Sequence, residues 1–140
     1  MSEKIKYCLD TNIVSDFLRG NETVVRNINT AIAAGNQIFI PTLVYYEIVR
    51  GLKAGGKTRK LVEFLSLYKN FPHLFFDRDN YKVIEKATEI YVQLHRGQQI
   101  EDDDIFIAAI ALVNDCTLVT ANVKYFERVG NLQAVNWRDN

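Results

Sequence analysis

Apolar residues recur along this chain in two alternating rhythms. Short compact runs carry β-branched and aromatic residues, and longer stretches repeat every three or four positions. Tyr7-Cys8-Leu9 opens as a short buried strand. Ile13, Val14, Phe17 and Leu18 then follow helical spacing, stopped by Gly20-Asn21. Val24, Val25, Ile28 and Ile32 make the stripe of a second helix that ends at Gly35-Asn36. Ile38-Phe39-Ile40 predicts a second strand bounded by Pro41, and Thr42 is placed to cap a helix with the stripe Val44, Ile48 and Leu52. Gly55-Gly56 ends that helix, and Leu61, Phe64, Leu65 and Tyr68 mark the next.

The second half repeats the alternation. Leu74-Phe75-Phe76 predicts a third strand. Asp79 can cap a helix with Ile84, Ala87, Tyr91 and Leu94 on one face and Gly97 after it. From about Asp102 to Asn114 a further helix is apolar all round between Ile105 and Val113, which predicts burial on every side. Thr117-Leu118-Val119 is a fourth strand, and Leu132 to Val135 a candidate fifth. Strands separated by helices imply a parallel sheet with helices on both faces. The expected fold is therefore α/β, a three-layer α/β/α sandwich around a parallel sheet of about five strands. Residues 1–140 form one domain on this reading, without repeat, linker or low-complexity stretch.

Composition narrows the class. The chain has 140 residues, 48% hydrophobic and 24% charged, with 17 Lys+Arg against 17 Asp+Glu. That is an ordinary globular balance and too apolar for a disordered chain. Zero net charge excludes a generally basic nucleic-acid coat but leaves room for a local basic groove. The longest apolar run is far short of the ~20 residues of a membrane span. Met1 to Lys6 lacks the apolar stretch of a secretory signal. Cys8 and Cys116 sit among strand-like residues, consistent with reduced core cysteines in a cytoplasmic protein. His73 and His95 are isolated, so no Cys/His zinc spacing exists.

Candidate chemistry lies where strands end. In open parallel sheets, ligands bind beyond the carboxyl ends of the strands. Asp10, Thr11 and Asn12 follow the first strand, Glu47 lies within the helix after the second, and Thr120 and Asn122 follow the fourth. Asp104 opens the all-apolar helix that leads into the fourth strand. Taken singly, Asp10 reads as a helix cap, Glu47 as a surface glutamate, and Asp104 as a partner for the helix dipole, a role that Asp102 and Asp103 fill equally well. Taken together, three carboxylates from distant positions meet at one end of one sheet. Such acids repel one another, and a hard divalent cation relieves that cost. Oxygen-only donors favour Mg²⁺, with Mn²⁺ the alternative. Arg19, Arg50, Lys53, Lys57, Arg59 and Lys60 could line a groove for a phosphodiester, with Arg50 one helical turn beyond Glu47. Tyr45, Tyr46 and Tyr68 could stack on unpaired bases, although at least one is expected in the core.

Four blocks in order give this pattern a family likeness. Leu9-Asp10-Thr11-Asn12-Ile13, Tyr46-Glu47-Ile48-Val49-Arg50-Gly51, Ile100 to Ala109, and Leu118 to Asn122 followed by Tyr125 to Val129 resemble the motifs of PIN-domain ribonucleases, in particular the VapC toxins. The terminal Asn136-Trp137 is also similar. The resemblance implies metal-binding, catalytic carboxylates at Asp10, Glu47 and Asp104, support from Asn12, Thr120 and Asn122, and an Mg²⁺-dependent endoribonuclease. It further implies single-stranded RNA as target, commonly a tRNA loop, a homodimer, and an inhibiting VapB-like antitoxin. The helices around Val44 to Leu52 and Leu61 to Tyr68 are then sources of the dimer surface and the antitoxin groove. The chain departs from the pattern where many relatives place a fourth carboxylate: Asn122 and Tyr125 are both uncharged. That departure predicts one resident cation rather than two. Two rivals stand beside this reading. One is a metal-free PIN-like module that only binds RNA or a partner. The other is a receiver-type phosphoacceptor domain acting through Asp77.

Overall fold

The structure, a computed structural model, describes residues 4–76, 81–95, 97 and 100–139. The first strand, β1 (Lys6–Leu9), leads into α1 (Thr11–Leu18) and α2 (Glu22–Ala33). A second strand, β2 (Gln37–Pro41), is followed by α3 (Thr42–Ala54), α4 (Thr58–Tyr68) and the short β3 (His73–Leu74). Then come α5 (Lys82–Leu94), α6 (Asp102–Val113), β4 (Thr117–Val119), α7 (Val123–Phe126) and β5 (Ala134–Val135). Among the described residues, five strands pair in parallel in the order β3-β2-β1-β4-β5. The expected α/β sandwich with a five-stranded parallel sheet is the observed architecture.

The strand order sets the place of the site. From β1 the chain moves outward to β2 and β3, then returns across the sheet to β4 on the other side of β1. The connections leaving β1 and β4 therefore diverge, and a crevice opens at their carboxyl ends. Leu9 pairs with Val119, so Asp10 and Thr120 emerge side by side at that crevice.

The core follows the apolar pattern. Cys8 and Leu9 of β1, Ile40 of β2, and Leu118 and Val119 of β4 are buried, as are Ile105 and Ile107 to Ala111 of α6. Cys8 and Cys116 are both free and buried. Burial raises both thiols well above their usual range, Cys116 to about 11, which leaves them unreactive. No helix of the described residues is long and apolar enough to cross a membrane.

Five local expectations need correction. The buried face of α2 is Val24, Ile28 and Ala31, while Ile32 is exposed. Pro41, not Thr42, is the N-cap of α3, and Thr42 is the first helical residue. Proline's fixed φ and missing N–H suit it to the edge of a helix. The third strand is His73–Leu74 and stops short of Phe75 and Phe76. The buried face of α5 is Val83, Ala87, Ile90 and Leu94, while Ile84 and Tyr91 are exposed. Both sets have helical spacing, and packing of α5 against α6 selects between them. The helix α7 has no counterpart in the apolar pattern, because four residues are too few to show a period. Asp79 and Asp77 lie outside the described residues.

Candidate active site

Asp10 anchors the site. It ends β1 with extended backbone and caps α1, its Oδ1 accepting from the Thr11 N–H at 2.8 Å. Its Oδ2 accepts from the Thr120 hydroxyl at 2.8 Å. Its own N–H donates to the Val119 carbonyl across the strand pair. These bonds fix the carboxylate although it is only 6% exposed. Burial nevertheless raises its pKa, against the lowering by Thr120 and Thr11.

Glu47 reaches the same place from α3. Thr11 Oγ1 donates to Glu47 Oε1 at 2.9 Å, which ties α3 to the start of α1. Burial raises the Glu47 pKa first, and the charges of Asp103 and Asp10 raise it further. Asp104 comes from the first turn of α6. Its pKa is raised to about 6 by burial and then by Asp10, Glu101 and Asp103, with a Tyr125 hydrogen bond pulling the other way. The charge of Asp10 thus acts on both Glu47 and Asp104. Acids from β1, α3 and α6 share one neighbourhood at the sheet's carboxyl edge.

The supporting residues occupy distinct places. Asn12 Oδ1 accepts from the Ala121 N–H at 3.1 Å, joining α1 to the loop after β4. Thr120 is fully buried and relays between elements: its hydroxyl donates to Asp10 and accepts from the Asn122 N–H at 3.1 Å. Asn122 takes part through this backbone N–H. Arg50 lies at the rim, its guanidinium 4.9 Å from the Tyr46 ring centroid and 3.9 Å from Asp103 Oδ2.

Three roles are not legible in the sequence. Thr11 positions Glu47, Asp103 contacts both Glu47 and Arg50, and Tyr125 contacts Asp104. Asp103 was assigned to the helix dipole alone, and no periodicity distinguishes it from Asp102. Adjacency to Asp10 was the only signal for Thr11.

A groove of about 300 Å³ runs beside Glu47 between α1, α3 and the start of α4. Glu47 and Thr11 line it, and Arg19, Lys57 and Lys60 supply its positive charge. Lys53 and Arg59 are not in its wall. Of the three tyrosines, Tyr45 and Tyr68 pack with Phe64, their ring centroids 4.9 Å apart, and Tyr46 is exposed.

The family model of the PIN domain matches residues 7–132, nearly the whole chain. Ribonuclease VapC19 of Mycobacterium tuberculosis is 30% identical over 125 residues, spanning 89% of this chain and 95% of the relative. This chain is a VapC-type PIN domain protein. A second relative, Ribonuclease VapC2 of Rickettsia felis, is 29% identical over 133 residues, covering 94% of this chain and 97% of its own. The fold of this VapC-type protein superposes on VapBC2 from Rickettsia felis, solved bound to a DNA fragment from their promoter. The TM-score is 0.84 at 27% identity, with 95% and 99% of the two chains covered. VapBC from Salmonella typhimurium, also bound to DNA, gives 0.82 at 22% identity over 95% and 98% of the chains, a likeness of fold. Membership in the PIN family overturns the receiver-type alternative.

The donor chemistry suits a hard cation. The acids offer only oxygen, and the charge of Asp10 raises the pKa of both Glu47 and Asp104, a crowding that a cation relieves. Among the described residues, no three His, Cys, Asp or Glu side chains approach closely enough to enclose one ion. Mg²⁺ does not require such a cage, since it usually takes one or two carboxylates and retains waters.

Proposed function

We propose that this chain is the toxin of a toxin–antitoxin pair: an Mg²⁺-dependent endoribonuclease, with Mn²⁺ the alternative ion, that cuts single-stranded RNA. A tRNA loop is the favoured target, and its cleavage would arrest translation and growth. A VapB-like antitoxin neutralises the toxin, which acts as a homodimer in the cytoplasm. The observation that carries this reading is Thr11 joining Asp10 to Glu47, its N–H donating to Asp10 Oδ1 and its hydroxyl to Glu47 Oε1, at the switch point between β1 and β4. The relatives named ribonucleases and the VapBC complexes support the same class.

Asp10, Glu47 and Asp104 are the residues that would hold the ion. When bound, a divalent cation supplies positive charge for the phosphoryl oxygens and makes a nearby water more acidic. The chain's own groups do the rest. Thr120 and Thr11 hold Asp10 and Glu47 in place and favour their ionised forms by donating to them. Arg19, Lys57 and Lys60 balance the phosphates of an RNA strand that approaches an acidic centre. Arg50 and the exposed Tyr46 offer a cation and a ring face beside Glu47 for phosphate and base.

The test is cleavage of cellular RNA with and without EDTA, by the wild type and by Asp10→Asn. Cleavage should vanish in both arms that remove the ion or its main ligand, and Asp10→Asn should relieve growth arrest. One rival keeps the fold and loses the chemistry: a metal-free module that sequesters RNA or a partner. The open spacing of the acids favours it. Retention of RNA in EDTA, without cleavage in Mg²⁺ or Mn²⁺, would identify that module.

A further inference from the structure

Tyr125 lies on α7, outside the segments that carry Asp10, Glu47 and Asp104, yet its hydroxyl reaches the start of α6. It accepts from the Glu101 N–H at 3.2 Å, one turn before Asp104, and it favours the ionised Asp104 carboxylate against the neighbouring acids. Glu101 is the N-cap of α6 and makes no side-chain capping bond, so this contact helps fix the helix start that carries Asp104. The ring is anchored edge-on against the buried Phe126, with centroids 5.5 Å apart, and it walls a groove beside Asn122 and Lys124. The phenol is thus set at the first turn of α6, beside the backbone that carries Asp104.

We propose that Tyr125 is a positioning residue that orients the Asp104 carboxylate for cation binding through its hydroxyl. The proposal rests on the nuclease reading above. Three acids, Asp10, Glu101 and Asp103, act on Asp104. Left to itself, that carboxylate would turn toward solvent and away from its neighbours. The phenol opposes this as a neutral donor. It supplies direction without adding negative charge, as a carboxylate at the same position would. Groups that orient ligands in this way are worth about 10–100-fold in metal affinity or activity.

The test replaces the hydroxyl and keeps the ring. In Tyr125→Phe, the Mn²⁺ dissociation constant measured by titration calorimetry should rise about 10-fold, and kcat for RNA cleavage should fall about 10-fold. KM for RNA should stay within about twofold, because the ring still walls the groove. In an Asp104→Asn background, the same replacement should change Mn²⁺ affinity by less than about twofold, since its target is gone. Unchanged Mn²⁺ affinity and kcat in Tyr125→Phe would overturn the proposal. So would an equal effect in both backgrounds, or loss of the fold, which would make the hydroxyl a structural need. Wild-type protein that binds no Mn²⁺ would sink the nuclease reading and this proposal together. Mn²⁺ binding that depends on Asp10 but ignores Tyr125 would sink this proposal alone.

Discussion

Asp10 caps a short helix and Asp16 lies within it, and both are buried, at 6% and 4% exposure. Their surroundings are opposite. Asp16 meets two arginines, Oδ1 with Arg19 Nη2 and Oδ2 with Arg138 Nε, each at 2.6 Å. Arg138 brings the C-terminal segment onto α1, and near it Asn27 donates to the Trp137 carbonyl while Trp137 packs on Tyr7. Asp10 meets hydroxyls and backbone N–H groups, with Glu47 and Asp104 beyond them. One buried aspartate is neutralised within the chain and fastens the fold. The other sits in a surplus of negative charge that, among the described residues, Arg50 at the exposed rim offsets only in part. A folded protein keeps such a surplus at a cost in stability, so it marks a place where something positive binds.

Substitutions at the two positions should separate activity from stability. Asp10→Asn keeps the shape and removes the central charge. RNA cleavage should fall by more than about 100-fold, beyond the usual loss of a supporting partner, with Tm unchanged or raised. Gel assays and thermal melts check both halves. Asp16→Asn should do the reverse. It strips the charge from two charge-assisted bonds and should lower stability by about 2 kcal/mol, while cleavage per folded molecule stays near wild type. Chemical denaturation with activity corrected for folded fraction measures it.

A pH effect sharpens the contrast. Asp104 has its pKa raised to about 6. A carboxylate raised in the folded state binds more protons there than when unfolded. Its contribution to stability is complete below the unfolded value and is lost as pH rises through about 6. The ion-free protein should therefore lose Tm between pH 4.5 and pH 7 relative to Asp104→Asn, by roughly 2–5 °C after allowance for solvent screening. Saturating Mg²⁺ should shrink the difference, because a bound cation favours the ionised acid. The smallest effect belongs to the rim. Arg50→Ala should weaken RNA binding modestly and reduce the slope of log K against log salt by about one. Fluorescence anisotropy at several salt concentrations reads that slope.

The sequence revealed Asp10 and not the reason for Asp16. Asp10 is legible because it ends a strand pattern and opens a helix, and Thr120 because the fourth strand ends at Val119. One partner of Asp16, Arg19, is three positions on, but the other, Arg138, lies 122 positions away, and no local rule joins it. The same limit hid the contact of Asp103 with Glu47 and of Tyr125 with Asp104, which exist only once α3, α6 and α7 converge. The helix α2 is legible in part: Val24 and Ile28 of its expected stripe are buried, but Ala31 completes the face and Ile32 is exposed. The helix α5 carries the adjacent pairs Val83-Ile84 and Ile90-Tyr91, so two registers fit its spacing and tertiary packing chooses. The third strand ran short because an apolar run is not sufficient for a strand, and β3 pairs only through Ile40 and Pro41 of β2.

The most direct measurement is an anomalous difference map from crystals of the wild-type protein soaked in Mn²⁺. The account predicts a peak at the carboxyl edge between β1 and β4, bonded to Asp10 and to Glu47 or Asp104, and absent from Asp10→Asn crystals. A map with no peak there at full Mn²⁺ occupancy elsewhere, or a peak that survives Asp10→Asn, would contradict it.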